Sequence, residues 1–194
     1  NYFPAIEPVY RSFNGSAGVT YSLLKPLTVK LNVSTGFRAP NLAELTSNGL
    51  HEGIFQYEKG NSDFKSEQSI ETDIGLDFNS RYFSADVSAY YNSINNYIYL
   101  GQTTDTILGY PVFSYFQSDD PLRGMEAELT IKPYECLHLK STYSAVIAKR
   151  NDGVNLPLIP SDKFTCSLHF ELNSWKFFRS PYIEISTSTA LAKT

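Results

Sequence analysis

The chain has 194 residues, a formal charge of −4, 19% charged residues and 14% aromatics, including 14 Tyr and 13 Phe. The mild acidity excludes the basic face that a nucleic-acid binder uses, and so lean a charge content beside so many rings is foreign to an ordinary soluble enzyme. No apolar run reaches the roughly 18–20 residues of a membrane-spanning helix, so a passage through lipid requires strands, because only helices and closed barrels satisfy every backbone group there.

A period-two alternation opens the chain at about 13–24, where Ala17, Val19, Tyr21 and Leu23 oppose Ser16, Gly18, Thr20 and Ser22. The next run sets Leu27, Val29, Leu31, Val33, Thr35 and Phe37 against Thr28, Lys30, Asn32, Ser34 and Gly36. Ile70, Thr72, Ile74, Leu76 and Phe78 then oppose Ser69, Glu71, Asp73, Gly75 and Asp77. Phe83 to Asn92 and Met125 to Lys132 repeat the pattern, as do 137–148, 163–173 and 181–192. Alternation of this kind predicts about eight strands.

Their connections alternate in length. Short turns are expected near Lys25-Pro26, Asn79-Ser80-Arg81, Pro133-Tyr134-Glu135 and Asn173-Ser174, and long polar loops at about 38–66, 100–120 and 149–162. Short turns at one end and long loops at the other, on strands of roughly 10–13 residues, fit an antiparallel transmembrane β-barrel. A soluble sandwich accounts for the alternation but not for the asymmetry of the connections. Two bare edges would invite pairing with other chains, so eight strands are read as an incomplete wall that self-associates when isolated. Cys136 and Cys166 fit no metal-ligand spacing. Cys166 falls in the apolar alternation and reads as a small wall residue, and whether the two pair is left open.

The stretch from Gly36 to Glu67 resembles the C-terminal barrel signature of TonB-dependent receptors. Gly36-Phe37-Arg38-Ala39-Pro40-Asn41-Leu42, followed by Glu44-Leu45, matches its first part, and Gly60, Asn61, Lys65 and Glu67 its second. Ser62 and Ser66 stand where the family usually has proline, and Phe64 where leucine is common. Further matches follow in order: Ala89-Tyr90-Tyr91-Asn92 with Asn96-Tyr97-Ile98-Tyr99, then Arg123-Gly124-Met125-Glu126-Ala127-Glu128-Leu129, then Leu156-Pro157-Leu158-Ile159-Pro160. Pro40 lacks a backbone donor and is expected to stop the ladder, after which Asn41 can cap a short helical turn through Leu42 to Leu45. Arg38 lies in register with the polar face and is expected to pair with carboxylates such as Glu67 or Glu126. Gly124 reads as a bulge or a close backbone approach at a strand start.

Ser47-Asn48-Gly49-Leu50-His51-Glu52-Gly53, then Tyr57-Glu58-Lys59-Gly60-Asn61, is similar to a loop pattern in the zinc- and haem-type branch of these receptors. His51 and Glu52 are a candidate zinc-capturing pair, against the plain reading of a solvated loop histidine. Either way, the remaining ligands of a four-coordinate site would have to come from elsewhere. Glu58, Tyr57, Tyr99 and Tyr115 complete the candidate substrate-binding set. Tyr97, Tyr99, Tyr110, Phe113, Tyr115 and Phe116 read either as a stacking platform for haem or a siderophore or as an interfacial girdle. His138 and His169 read as lumen-facing wall residues.

The resemblance implies a barrel of about 22 strands, of which this chain is a portion lacking the plug domain and the final strands. It implies an outer-membrane active-transport receptor for a metal ion, haem or ferric siderophore, energised by the TonB complex acting through the plug. No resident cofactor, no enzymatic activity and no nucleic-acid partner are expected, whereas contact with outer-membrane lipid is. The alternative is a structural or adhesive outer-membrane barrel that transports nothing.

Overall fold

The structure, a computed structural model, describes residues 9–150, 153–174 and 176–192. Ten strands form one sheet. Eight of them make a meandering wall in the order β1 (Ser16–Leu24), β2 (Leu27–Arg38), β5 (Glu67–Asn79), β6 (Phe83–Ile107), β7 (Tyr110–Tyr134), β8 (Leu137–Ala148), β9 (Asp162–Glu171) and β10 (Tyr182–Leu191). Every neighbouring pair in this path is antiparallel. The sheet is open, with β1 and β10 at its edges.

The cross-strand registers sort the side chains into two faces. Residues directly opposite in a ladder share a face, so Val19, Leu31, Ile74, Ala89, Met125 and Ala145 form one row, and Val29, Leu76, Val87, Ala127, Tyr143 and Phe164 the row beside it. The other face carries Asn32, Asp73, Tyr90 and Gly124 in one row and Thr28, Asp77, Asp86, Glu128, Thr142 and Thr165 in another. The apolar face is left uncovered, with Val19, Ile74, Leu76, Met125 and Leu168 all exposed. A water-soluble sheet would bury such a face, whereas a barrel wall turns it to lipid and keeps the polar face for the lumen. Phe78 and Phe83 pack edge to face at 5.6 Å near the short-turn end. Tyr82 and Tyr134 lie exposed at the same end, where an interfacial aromatic belt belongs. Both cysteines are free thiols, with Cys136 exposed in a turn and Cys166 on the apolar face opposite Ser141.

Three of the expected connections differ from the sequence reading. Residues 100–120 are not a loop: β6 and β7 are each 25 residues long and continue as a hairpin past the wall. Its tip is Leu108-Gly109, both at positive φ (51° and 84°), the pairing that a tight two-residue hairpin turn requires. Residues 38–66 contain the expected capped helical turn after Pro40, but strand and a 3-10 turn follow it in place of the expected polar loop. They hold the helix α1 (Leu42–Thr46), the hairpin β3 (Asn48–His51) and β4 (Gln56–Lys59), and a 3-10 turn at Glu52–Ile54. The link between β9 and β10 spans 172–181 rather than a two-residue turn.

Candidate functional site

The site sits at the long-loop end, where the β2–β5 connection folds back onto the β6–β7 extension. Pro40 is buried and β2 stops at Arg38. Asn41 then caps α1: its side chain accepts from the Glu44 amide at 2.9 Å, while the Asn41 amide donates to the Glu44 carboxylate at 2.8 Å. This reciprocal capping box fixes Glu44 at the third helical position.

Glu44 is thereby aimed at Arg38. The guanidinium donates to both Glu44 oxygens at 2.8 and 3.0 Å and, through Nε and a terminal nitrogen, to both Glu67 oxygens at 2.7 and 2.5 Å. Glu67 is one of the partners expected for Arg38. Glu126 is not: it lies on β7 between Ser88 and Ser144, several rows further down the polar face. Glu67 also accepts from the Ile98 amide at 2.7 Å, so one guanidinium ties together the end of β2, the start of β5, α1 and the base of the β6 extension.

That base is marked by a bulge. The β6–β7 register shifts between Ile94 and Tyr97, with Asn96 at φ 58°, a left-handed conformation that asparagine tolerates better than most residues. The Asn96 amide donates to Asp119 at 2.8 Å, and the Gln117 side chain bridges the carbonyls of Asn96 and Lys65 at 3.0 and 2.6 Å. Above the bulge, Leu45, Phe64 and Ile98 form a small buried cluster with Tyr115 against it. Burial there raises the Tyr115 phenol above its ordinary pKa, and the nearby carboxylates of Glu58 and Glu44 push it the same way.

Gly60 closes the loop. Its amide donates to the Ser47 carbonyl at 2.6 Å, and a Cβ there would lie 2.8 Å from three backbone atoms of α1 and its C-cap. The Asn61 amide donates to the Glu44 carbonyl at 2.8 Å. β4 then runs parallel to β7, pairing Tyr57, Glu58 and Lys59 with Val112, Phe113 and Ser114.

These registers divide the expected ligand residues between two faces. His51 and Glu58 share a face with Phe113 and Tyr115, whereas Tyr57 shares the opposite face with Tyr99 and Phe116. The aromatic cluster of the sequence reading is therefore split: Tyr97, Tyr99 and Phe116 stack at 6.4 and 5.7 Å on one side, with the Arg150 guanidinium 5.7 Å from the Tyr99 ring. Glu52 is exposed in the 3-10 turn after His51. Leu42, Leu50, His51 and Glu58 line an open cavity of about 520 Å³. Among the described residues no group of three or more His, Cys, Asp and Glu is placed to hold a metal ion.

Further down the wall, Gly124 stands directly opposite Tyr90, whose ring lies over it; a Cβ at Gly124 would fall 2.3 Å from the ring. Of the two readings of Gly124 the close approach holds, and it occurs in the middle of β7 rather than at a strand start, with no register shift there. His138 and His169 face each other on the polar face, with rings 5.8 Å apart, and His169 lies 3.2 Å from Glu184.

An open, twofold-faced wall with short turns at one end and folded long connections at the other defines a portion of an outer-membrane β-barrel. The family model described as "TonB dependent receptor-like, beta-barrel" matches residues 4–192, and the chain belongs to that family. The "Iron-regulated outer membrane virulence protein" of Vibrio cholerae (El Tor Inaba) is 29% identical over 170 residues, covering 78% of this chain and 26% of its own length. Among solved structures, "Copper transporter OprC" superposes with a TM-score of 0.69 at 19% identity, over 84% of this chain and 24% of that one. The siderophore receptor PirA from Acinetobacter baumannii does so with a TM-score of 0.63 at 16% identity, over 90% of this chain and 33% of that one. The chain thus spans about a quarter of the length of the curated relatives it matches. By name, the matched proteins are an iron-regulated outer-membrane protein, a copper transporter and a siderophore receptor.

Proposed function

We propose that this chain forms part of the wall and outer loops of an active-transport receptor that takes up a scarce nutrient, namely a metal ion, haem or a ferric siderophore. Energy comes from the TonB complex acting on a plug domain encoded outside these residues. The observation that carries this reading is the folded β2–β5 connection, which sets His51 and Glu58 beside Tyr115 of β7 on one face at the long-loop end. A transporting barrel needs ordered outer loops that present polar and aromatic groups to a ligand, and loops of a purely structural barrel need no such clamp as Arg38 with Glu44 and Glu67. The iron-regulated relative and the siderophore- and copper-handling neighbours favour a metal-containing substrate.

His51 and Glu58, with an imidazole and a carboxylate, supply ligand types suited to zinc or copper. Two groups do not complete a coordination shell, so further ligands come from other loops or from the plug. The test is a titration of the intact detergent-purified receptor with zinc, haem and a ferric catecholate siderophore in parallel, repeated with His51→Ala. Binding of zinc or haem that weakens at least tenfold in the variant makes His51 a ligand. Siderophore binding unchanged in the variant assigns the aromatic and basic groups instead, and binding of none of the three, with no uptake by cells, refutes the receptor reading.

A further inference from the structure

We infer that the outward face of the wall carries a binding site for the phosphate of an outer-leaflet lipid headgroup, built from Arg123, Lys149 and Tyr91. The alternation assigns the outward positions of β1, β2 and β5 to β10, and in these described strands the charged residues among them are Asp119, Arg123 and Asp162. Asp119 accepts from the Asn96 amide at the bulge. Asp162 has a partner on its own face, since the Tyr143 hydroxyl donates to it at 3.0 Å. Arg123 has no carboxylate within ion-pairing distance among the described residues. Its guanidinium instead lies 5.3 Å from the centre of the Tyr91 ring, directly across the ladder.

An unpaired cation on a lipid-facing surface is expensive unless it meets an anion or water at the interface. The depth of Arg123 places it there. Eight residues separate it from Ile131 near the short-turn end of β7; at about 3.4 Å per residue and a tilt of about 40°, that is roughly 20 Å of depth. The reach of the side chain beyond Cα takes the guanidinium to the far limit of an apolar band about 25 Å tall. That limit is on the long-loop side, which is the outer leaflet.

A second cation stands beside it. Arg123 is opposite Ile147, so Lys149, two residues further along the same outward line and exposed, is its diagonal neighbour at roughly 7–8 Å between backbones. Neither residue belongs to the Arg38 clamp, and His51 and Glu58 lie further along β7, beside Phe113 and Tyr115. A forked guanidinium held over a tyrosine ring and an exposed ammonium beside it suit the oxygens of one phosphate monoester, the first through two parallel hydrogen bonds and the second as a point charge. The Tyr91 ring packs against the first carbons of the acyl chains, as interfacial tyrosines do.

The experiment uses the intact receptor in nanodiscs of phosphatidylcholine doped with phosphatidic acid, with retained lipid counted by native mass spectrometry after delipidation. Each cation near a membrane surface contributes about a fivefold factor to anionic-lipid affinity. Arg123→Gln/Lys149→Gln is therefore expected to retain phosphatidic acid roughly 25-fold more weakly, with Arg123→Lys in between. Heat-modifiable gel mobility confirms that each variant still folds as a barrel. Millimolar inorganic phosphate should fail to displace the retained lipid. Equal retention by the double variant, equal retention of phosphatidylcholine, or displacement by free phosphate would each overturn the assignment to a lipid headgroup.

Discussion

Replacing Arg38 with methionine should release the β2–β5 connection from the wall without unfolding the wall itself. The variant keeps the aliphatic stem and removes the charge, leaving Glu44 and Glu67 with side chains only 8% and 11% exposed and no counter-charge. Breaking a buried pair by removing one partner costs about 3–5 kcal/mol. Arg38 is itself 41% exposed, so water screens part of that loss and about 2–3 kcal/mol is the reasonable figure. At 1.4 kcal/mol per factor of ten, local opening should become roughly 30- to 150-fold more frequent. Hydrogen exchange followed by mass spectrometry on the intact protein reads this directly at the amides of Gly60 and Asn61, which bond to Ser47 and Glu44, and at Ile98, which bonds to Glu67. Amides in the middle of β2 and β5 should not change. Adding Glu44→Gln and Glu67→Gln to Arg38→Met removes the stranded charges while keeping the side-chain acceptors, so protection should recover in part. If Arg38→Met leaves the three amides protected, or if the triple variant exchanges as fast as the single one, the charge-clamp account is wrong.

Other perturbations follow from separate contacts. Gly60→Ala forces a Cβ against backbone atoms of α1 that have no room to rotate away; overpacking of this kind costs about 1–3 kcal/mol, seen as faster exchange across 42–61 with the wall unaffected. Gly124→Ala presses on the Tyr90 ring instead. It should lower the thermal midpoint of the barrel, and Tyr90→Ala in the same chain should recover much of the loss, because a side chain can be removed where a backbone cannot. Asn41→Ala deletes the cap of α1 and should cost about 1 kcal/mol of local stability, detected as selective exchange at Glu44 and Leu45. A membrane-impermeant maleimide should label the exposed Cys136 in bilayers and leave Cys166, on the apolar face, unmodified until detergent is added; equal labelling rates would reverse the assignment of the two faces.

The wall was legible in the sequence because each strand separates two solvents. Every second residue meets lipid and every other one the lumen, so the hydrophobic period is written out over nine to thirteen residues at a time. The same rule explains where legibility ended. Past Ile94 the β6–β7 hairpin leaves the membrane; the bulge at Ile94/Tyr97 inverts the parity of the alternation on β6, and the irregularity at Gln102/Thr106 adds two unpaired positions to it. A run such as Asn95-Asn96-Tyr97-Ile98-Tyr99 then reads as aromatic and irregular although it is strand throughout. The turn carried its own signal in Gly109, but Leu108 at positive φ is an unusual occupant, and the pattern of an asparagine or aspartate before the glycine is missing. Glu44 was missed as a partner of Arg38 even though Asn41 and Glu44 have the spacing of a capping box. Glu67 was found because it is adjacent to Arg38 in register. The parallel pairing of β4 with β7 left no local trace, since the 50 residues between Lys59 and Tyr110 must cross the wall before their backbone groups find partners.

That crossing bears on how a ligand at the long-loop end could influence the wall. The β2–β5 connection is not an independent flap. Its helix is held at Arg38 and Glu67, its second hairpin strand extends the sheet at β7, and its start and end meet through Gly60 over the helix C-terminus. Motion of His51 and Glu58 is therefore coupled mechanically to the β6–β7 extension, whose base is the bulge at Asn96. Below that bulge the ladder is regular down to Phe83 and Ile131, and a regular closed ladder resists bending. A ligand that draws the connection inward should displace the extension and the loop together about the bulge, with little change beneath it. Exchange at the Asn96 amide, which bonds to Asp119, separates this from the alternative of a loop that moves alone: faster exchange there on ligand binding identifies the bulge as the hinge, and unchanged exchange alongside altered protection in 48–59 confines the motion to the β3–β4 hairpin.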